Sequence, residues 1–161
     1  MVTEKDIWGY LEDVFDPEVP VLTVVDLGIV QKVSVENSRV HITITPTYSG
    51  CPAMQRIEDD IIEKLKEECD LEVKVDLVLS PAWTTDWISE EGKQKLREYG
   101  IAPPEDEADK SVLFAEQTIV PCPKCNCKDT KMISQFGSTA CKAHYQCNVC
   151  LEPFDYFKCL R

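Results

Sequence analysis

No apolar run in this sequence approaches the roughly 20 residues needed to cross a bilayer. Its first residues are acidic and contain a tryptophan, without the basic-then-apolar order of a secretory signal. Both absences point to a soluble, cytoplasmic protein with no membrane association. Histidine is nearly missing: His41 and His144 are the only two, so a nucleophile would have few imidazoles to take up its proton. Basic residues are outnumbered, 17 Lys and Arg against 29 Asp and Glu, for a net charge of −12. Such a surface repels phosphates and sets nucleic acid aside as a partner. The shortage of positive charge is uneven. From residue 121 on, Lys124, Lys128, Lys131, Lys142, Lys158 and Arg161 outnumber Asp129, Glu152 and Asp155.

What is present is 161 residues, 43% of them hydrophobic, enough for one ordinary domain plus a small module. Ile7, Leu11 and Val14 recur at helical spacing after Thr3, and Thr3 with Asp6 resembles a capping box. Asp16-Pro17-Glu18-Val19-Pro20 breaks that helix; spacing favours solvated carboxylates there over functional ones. Within Thr23–Val30 only Asp26 interrupts an apolar run. It either caps backbone N–H groups or faces a site.

Val33 and Val35, a turn at Glu36-Asn37-Ser38, then Val40, Ile42 and Ile44 make a hairpin signal. His41 points away from that stripe. Pro52 suits the first position of the next helix, whose apolar stripe is Met54, Ile57, Ile61 and Leu65. Cys51 would then be its N-cap, with Gly50 allowing a tight turn before it. Backbone N–H groups and the helix dipole converge there, which predicts a lowered thiol pKa and raised reactivity. The competing reading is a small buried corner residue.

Cys69 falls at the core end of the helix. Val73, Val75, Leu77 and Leu79 alternate as a third strand. Trp83 and Trp87 form either a partner surface or a lid over the core. Ser89 caps a last helix ended by Gly100. The fold class predicted is α+β, an α-β-β-α-β-α domain over residues 1–102 with helices packed on a small mixed sheet. An acidic linker is expected at 103–118 and a small β module at 119–161.

All cysteines but Cys51 and Cys69 lie in that last module. Cys122-Pro123-Lys124-Cys125 and Cys147-Asn148-Val149-Cys150 are two C-x-x-C knuckles, the pattern of a closed tetrahedral zinc site in a zinc ribbon. One structural zinc per chain is favoured over iron or an iron–sulfur centre, because so short a module cannot build enough core without it. Strands are expected near 132–136, 143–146 and 154–157. Cys127, Cys141 and Cys159 are surplus. With His144 they either hold a second metal or are ordinary ribbon residues.

The Asp16–Pro20, Asp26–Val30 and Ser49-Gly50-Cys51-Pro52 segments resemble the iron–sulfur assembly domain family. That family includes bacterial SufT-type proteins and eukaryotic cytosolic iron–sulfur targeting factors. Trp83-Thr84-Thr85-Asp86-Trp87-Ile88-Ser89, and the ribbon with Ser138-Thr139-Ala140-Cys141-Lys142-Ala143, resemble its PaaD-like subgroup, encoded with the multicomponent phenylacetyl-CoA oxygenase (epoxidase) of phenylacetate degradation.

The resemblance implies a maturation factor for iron–sulfur cluster or iron assembly in that oxygenase, with the iron–sulfur reductase component as client. It maps the family's reactive cysteine, which contacts cluster or iron, onto Cys51, its acidic positions onto Asp16, Glu18 and Asp26, and its polar positions onto Thr47 and Ser49. A single motif cysteine would need a homodimer, the ribbon cysteines or the client's thiols to hold a cluster. Autonomous catalysis is not expected, since no base neighbours Cys51 in sequence. The alternative is a stable structural or adaptor subunit of the oxygenase.

Overall fold

The computed structural model describes residues 1–104 and 119–158. The expected acidic linker beyond Pro104, and Cys159, lie outside the described residues. The chain divides into two compact units, Met1–Gly92 and Lys93–Arg161.

In the first unit, α1 (Glu4–Leu11) opens on the predicted capping box. The Thr3 hydroxyl accepts the Asp6 N–H, and the Asp6 carboxylate accepts the Thr3 N–H at 2.8 Å. The helix stops before Val14, yet Val14 is still buried. Its helical spacing therefore reflected packing that the following turn preserves. The hairpin forms from β1 (Val30–Glu36) and β2 (Arg39–Ile44), with Val33 opposite Ile42 and Val35 opposite Val40. Asn37 and Ser38 both have positive φ, 48° and 64°, the two-residue turn whose twist matches paired strands.

α2 (Ala53–Glu68) buries Met54, Ile57, Ile61 and Leu65. It is the crossover that makes β3 (Glu72–Leu77) parallel to β2. The sheet order is β1-β2-β3, and Leu79 lies past the end of the last strand. Cys69 is core, as expected, its thiol bonded to the Leu65 carbonyl at 3.0 Å.

The tryptophan segment resolves as a lid on the turn at residues 24–28. Trp83 is buried and its indole N–H donates to the Leu27 carbonyl at 2.7 Å. Gly28 has φ +69°, and a Cβ there would sit 2.3 Å from the Trp87 carbonyl oxygen, so only glycine fits. The Ser89 hydroxyl accepts the Gly92 N–H at 2.9 Å and caps α3 (Glu90–Tyr99).

The second unit is a four-stranded sheet of order β4-β7-β6-β5. Its strands are β4 (Ile101–Ala102), β5 (Thr130–Ser134), β6 (Lys142–Cys147) and β7 (Pro153–Phe157). β4 runs parallel to β7 and belongs with the ribbon. The compact units accordingly part at Gly92/Lys93, earlier than the sequence boundary at 102. Two residues cannot show an alternating pattern, so this pairing left no trace in the sequence. Tyr145 stacks on Phe154 at 5.9 Å and meets Tyr156 edge-on at 5.7 Å, forming the ribbon's core with Ala102, Val120 and Ala143.

Candidate functional site

Two cysteine centres stand out, one in each unit. The first forms where β2 runs out and the chain turns into α2. Gly50 takes φ +77°, and Cys51 N–H closes a tight turn on the Tyr48 carbonyl at 3.3 Å. Pro52 holds the cap position of α2, with φ −69° and ψ −18° and no side-chain cap hydrogen bond, so Cys51 stands one residue ahead of the cap it was expected to hold. The Ala53 N–H and the Tyr48 side chain both act to favour the Cys51 thiolate.

Asp16 and Glu18 lie close enough for their charges to act on the same thiol. The Asp16 loop is folded by one carboxylate oxygen, Oδ1, which accepts the N–H groups of Glu18 and Val19, each at 2.8 Å. Asp16 is itself buried. The charges of Asp16 and Glu18, from a distant part of the chain, thus act on Cys51. Tyr48 is the neighbour whose influence on the thiol sequence reasoning passed over; its signal was its place three residues before Cys51.

One expectation is reversed. The Cys51 thiol pKa is raised, not lowered. Burial of the sulfur is the largest cause; the Ala53 N–H and the Tyr48 side chain pull down, and Glu18 and Asp16 push up again. The helix-terminus expectation fails because Pro52, not Cys51, holds the cap and because burial and two carboxylates outweigh the groups that favour the thiolate. At neutral pH the group is a thiol. It becomes a ligand only where a metal ion displaces its proton.

The other candidates are placed less centrally. Asp26 is a cap: its carboxylate accepts the Thr23 N–H at 3.1 Å while its own N–H donates to the Thr23 hydroxyl at 3.0 Å. The Ser89 hydroxyl reaches it at 3.3 Å. Thr47 is half-buried and Ser49 exposed on the cysteine turn, and among the described residues no hydrogen bond ties either to Cys51. His41 pairs with Asp76 across β2 and β3, and His144 approaches Asp155 at 3.4 Å.

The second centre gathers Cys122, Cys125, Cys147 and Cys150, whose sulfurs all lie within 4.8 Å of one another. Cys122 and Cys150 are 3.7 Å apart and Cys125 and Cys147 3.6 Å. Four thiolates on a zinc ion at about 2.3 Å would stand about 3.8 Å apart, so the residues fit a closed tetrahedral metal. Each knuckle ends in a residue of positive φ, Asn126 at 59° and Leu151 at 63°. Within the second knuckle N–H groups turn onto sulfur: Val149 and Cys150 donate to Cys147 at 3.4 and 3.5 Å. The Cys150 N–H, foremost among the causes, helps bring the Cys147 thiol down to about 7.

Cys127 and Cys141 stay outside this cluster. The Cys127 sulfur accepts the Asp129 N–H at 3.4 Å, and the buried Cys141 sulfur lies 3.0 Å from the Thr139 hydroxyl. No helix of the described residues is long and apolar enough to cross a membrane.

Residues 4–80 match the model of the iron–sulfur cluster assembly protein family, and residues 106–158 match the PaaD zinc β-ribbon domain. A relative from Escherichia coli, assigned to a 1,2-phenylacetyl-CoA epoxidase as one of its subunits, is 48% identical over 155 residues, covering 96% of this chain and 92% of its own. An Fe–S protein maturation auxiliary factor from Porphyromonas gingivalis is 40% identical over 96 residues, 58% of this chain and 90% of its own. A crystal structure of a domain of unknown function from Bacillus anthracis is similar with a TM-score of 0.55 at 33% identity, covering 58% of this chain and 90% of that one.

Proposed function

This chain belongs to the iron–sulfur cluster assembly protein family, in the PaaD-like branch that adds a zinc ribbon, and from that premise we propose that it is a maturation factor. Its task is to assist iron–sulfur cluster or iron assembly and insertion into the components of a phenylacetyl-CoA oxygenase, in the cytoplasm. The client we favour is the iron–sulfur reductase component. What supports this reading is the family membership together with the Cys51 thiol ahead of α2, on which the charges of Asp16 and Glu18 act. A single soft sulfur in the field of two carboxylates suits brief contact with iron better than permanent storage.

Enzymatic thiol chemistry is disfavoured by the same site. The thiol is protonated at neutral pH, and the two histidines are engaged with Asp76 and Asp155. In this reading Cys122, Cys125, Cys147 and Cys150 hold one structural zinc. Zinc there supplies folding energy and leaves no open position for catalysis.

The test is the iron and labile sulfide content of the oxygenase components, produced with the intact protein, with its Cys51→Ala variant, and without it. Loading should fall in both defective cases. Unchanged loading throughout would end the maturation reading. A second reading then takes its place, that of a stable adaptor within the oxygenase, which the E. coli relative's assignment to the epoxidase favours. Stoichiometric co-purification with the active oxygenase would support it.

A further inference from the structure

The polar edge of the first sheet has features that neither cysteine site uses. β3 is the last strand in the order β1-β2-β3. The Glu72 N–H donates to the Ser38 carbonyl and the Val78 N–H to the Ile44 carbonyl. Even-numbered residues of β3 therefore turn their backbone groups toward β2, and Val73, Val75 and Leu77 turn theirs outward. Among the described residues nothing pairs with that outward row.

The side chains beside it are apolar and poorly covered. Val73 and Val75 are half-buried, and Leu77 and Leu79 are 51% and 60% exposed. An accessible edge with an apolar flank is a template for another strand. On the opposite face stand Glu72, Lys74 and Asp76, with Lys74 3.2 Å from Asp76 and both solvent-accessible.

We propose that β3 pairs antiparallel with β3 of a second copy of this chain, on a two-fold axis through Val75. Charge selects both the partner and the register. Hydrogen bonding across the edge requires odd residues to face odd residues. A two-fold at Lys74 would set Lys74 against itself and Glu72 against Asp76. A two-fold at Asp76 would set Asp76 against itself. The two-fold at Val75 sets each Lys74 opposite Asp76 of the other copy, twice. It also places Val75 against Val75 and Val73 against Leu77 on the apolar face. Opposite charges directly across an antiparallel pair stabilise it and like charges oppose it. A two-fold at Val73 would also set Glu72 against Lys74, but it opposes Asp76 to Asp70 just ahead of the strand, so the register at Val75 is the one that opposes unlike charges and no like ones.

The resulting six-stranded sheet has a consequence for the cysteine turns. β2 runs parallel to β3, so the two β2 strands point in opposite directions. Their Ile44 ends stand about 20 Å apart, from strand spacings of about 4.8 Å and rises of about 3.3 Å. Dimerisation therefore doubles the Cys51 site without merging two thiols on one cargo.

The experiment is sedimentation velocity on the zinc-loaded full chain across the micromolar range, with Lys74→Glu, Asp76→Lys and the double exchange. The wild type should dimerise. Each single reversal places like charges opposite one another and should weaken association at least tenfold, with the thermal transition of the monomer recorded alongside. The double exchange restores opposite charges and should restore the dimer, which a variant merely damaged in folding would not do. A wild type that stays monomeric throughout overturns the proposal. So does a dimer indifferent to the single reversals, or a double exchange no better than either single.

Discussion

Cys51 is governed by a contest among neighbours that can be separated by substitution. Its raised pKa keeps the sulfur protonated below the ordinary thiol range, so alkylation should be slow near neutral pH and rise only as pH climbs past that range. Glu18→Gln removes one of the charges that disfavour the thiolate and leaves burial intact. The alkylation profile of the Cys51 peptide, followed by mass spectrometry, should move to lower pH and by less than the whole shift. A profile unchanged by Glu18→Gln would remove Glu18 from the site.

A second residue-scale prediction concerns Gly28. Alanine there meets both a left-handed backbone and the Trp87 carbonyl at 2.3 Å, so Gly28→Ala should cost at least about 2 kcal/mol in denaturant unfolding. The glycine could be read as part of a family motif. Its reason could not, because the clash comes from a residue far along the chain.

Elements were legible where their signal is local. The Thr3–Asp6 box, the Asn37-Ser38 turn, the stripe of α2 and the two knuckles each lie within a few residues, and each appears as expected. What was hidden depends on distant partners: β4 on β7 and Trp83 on Leu27; that Asp16 and Glu18 belong with Cys51 was implied only by the family resemblance. The direction of the Cys51 shift was hidden for the same reason, since burial is not a local property.

Asp26 tests whether a motif residue is structural. Its carboxylate closes a box with Thr23 and receives the Ser89 hydroxyl, joining the 24–28 turn to the start of α3. Asp26→Ala leaves those donors without their acceptor and should cost about 1–2 kcal/mol. Asp26→Asn keeps an acceptor and should recover most of that stability. If Asp26→Asn were stable yet failed to support client loading, Asp26 would act on cargo as well as on the fold.

At the scale of the whole molecule the two units rest on different physics. The first buries an apolar interior of helices on a sheet, including Ile7, Leu22, Ile42, Ile44, Ile57, Ile61 and Leu65. The P. gingivalis relative matches over 96 residues that make up 90% of its own length, so a domain of this kind exists without a ribbon. The ribbon's core is a handful of side chains around Tyr145, two of them the ligand cysteines Cys122 and Cys147. A structural zinc site contributes on the order of 10 kcal/mol or more of apparent binding free energy, comparable with the entire stability of a small domain. Removing the metal should therefore unfold the ribbon and spare the first unit.

The tryptophans make this measurable, because Trp8, Trp83 and Trp87 all lie in the first unit. A strong chelator, or Cys122→Ser with Cys147→Ser, should release one zinc per chain and collapse the amide signals of β5, β6 and β7. The tryptophan emission and its thermal transition should hold steady. If that transition fell together with the ribbon signals, the two units would be one cooperative structure, and the metal would hold the cysteine turn in place as well as the ribbon.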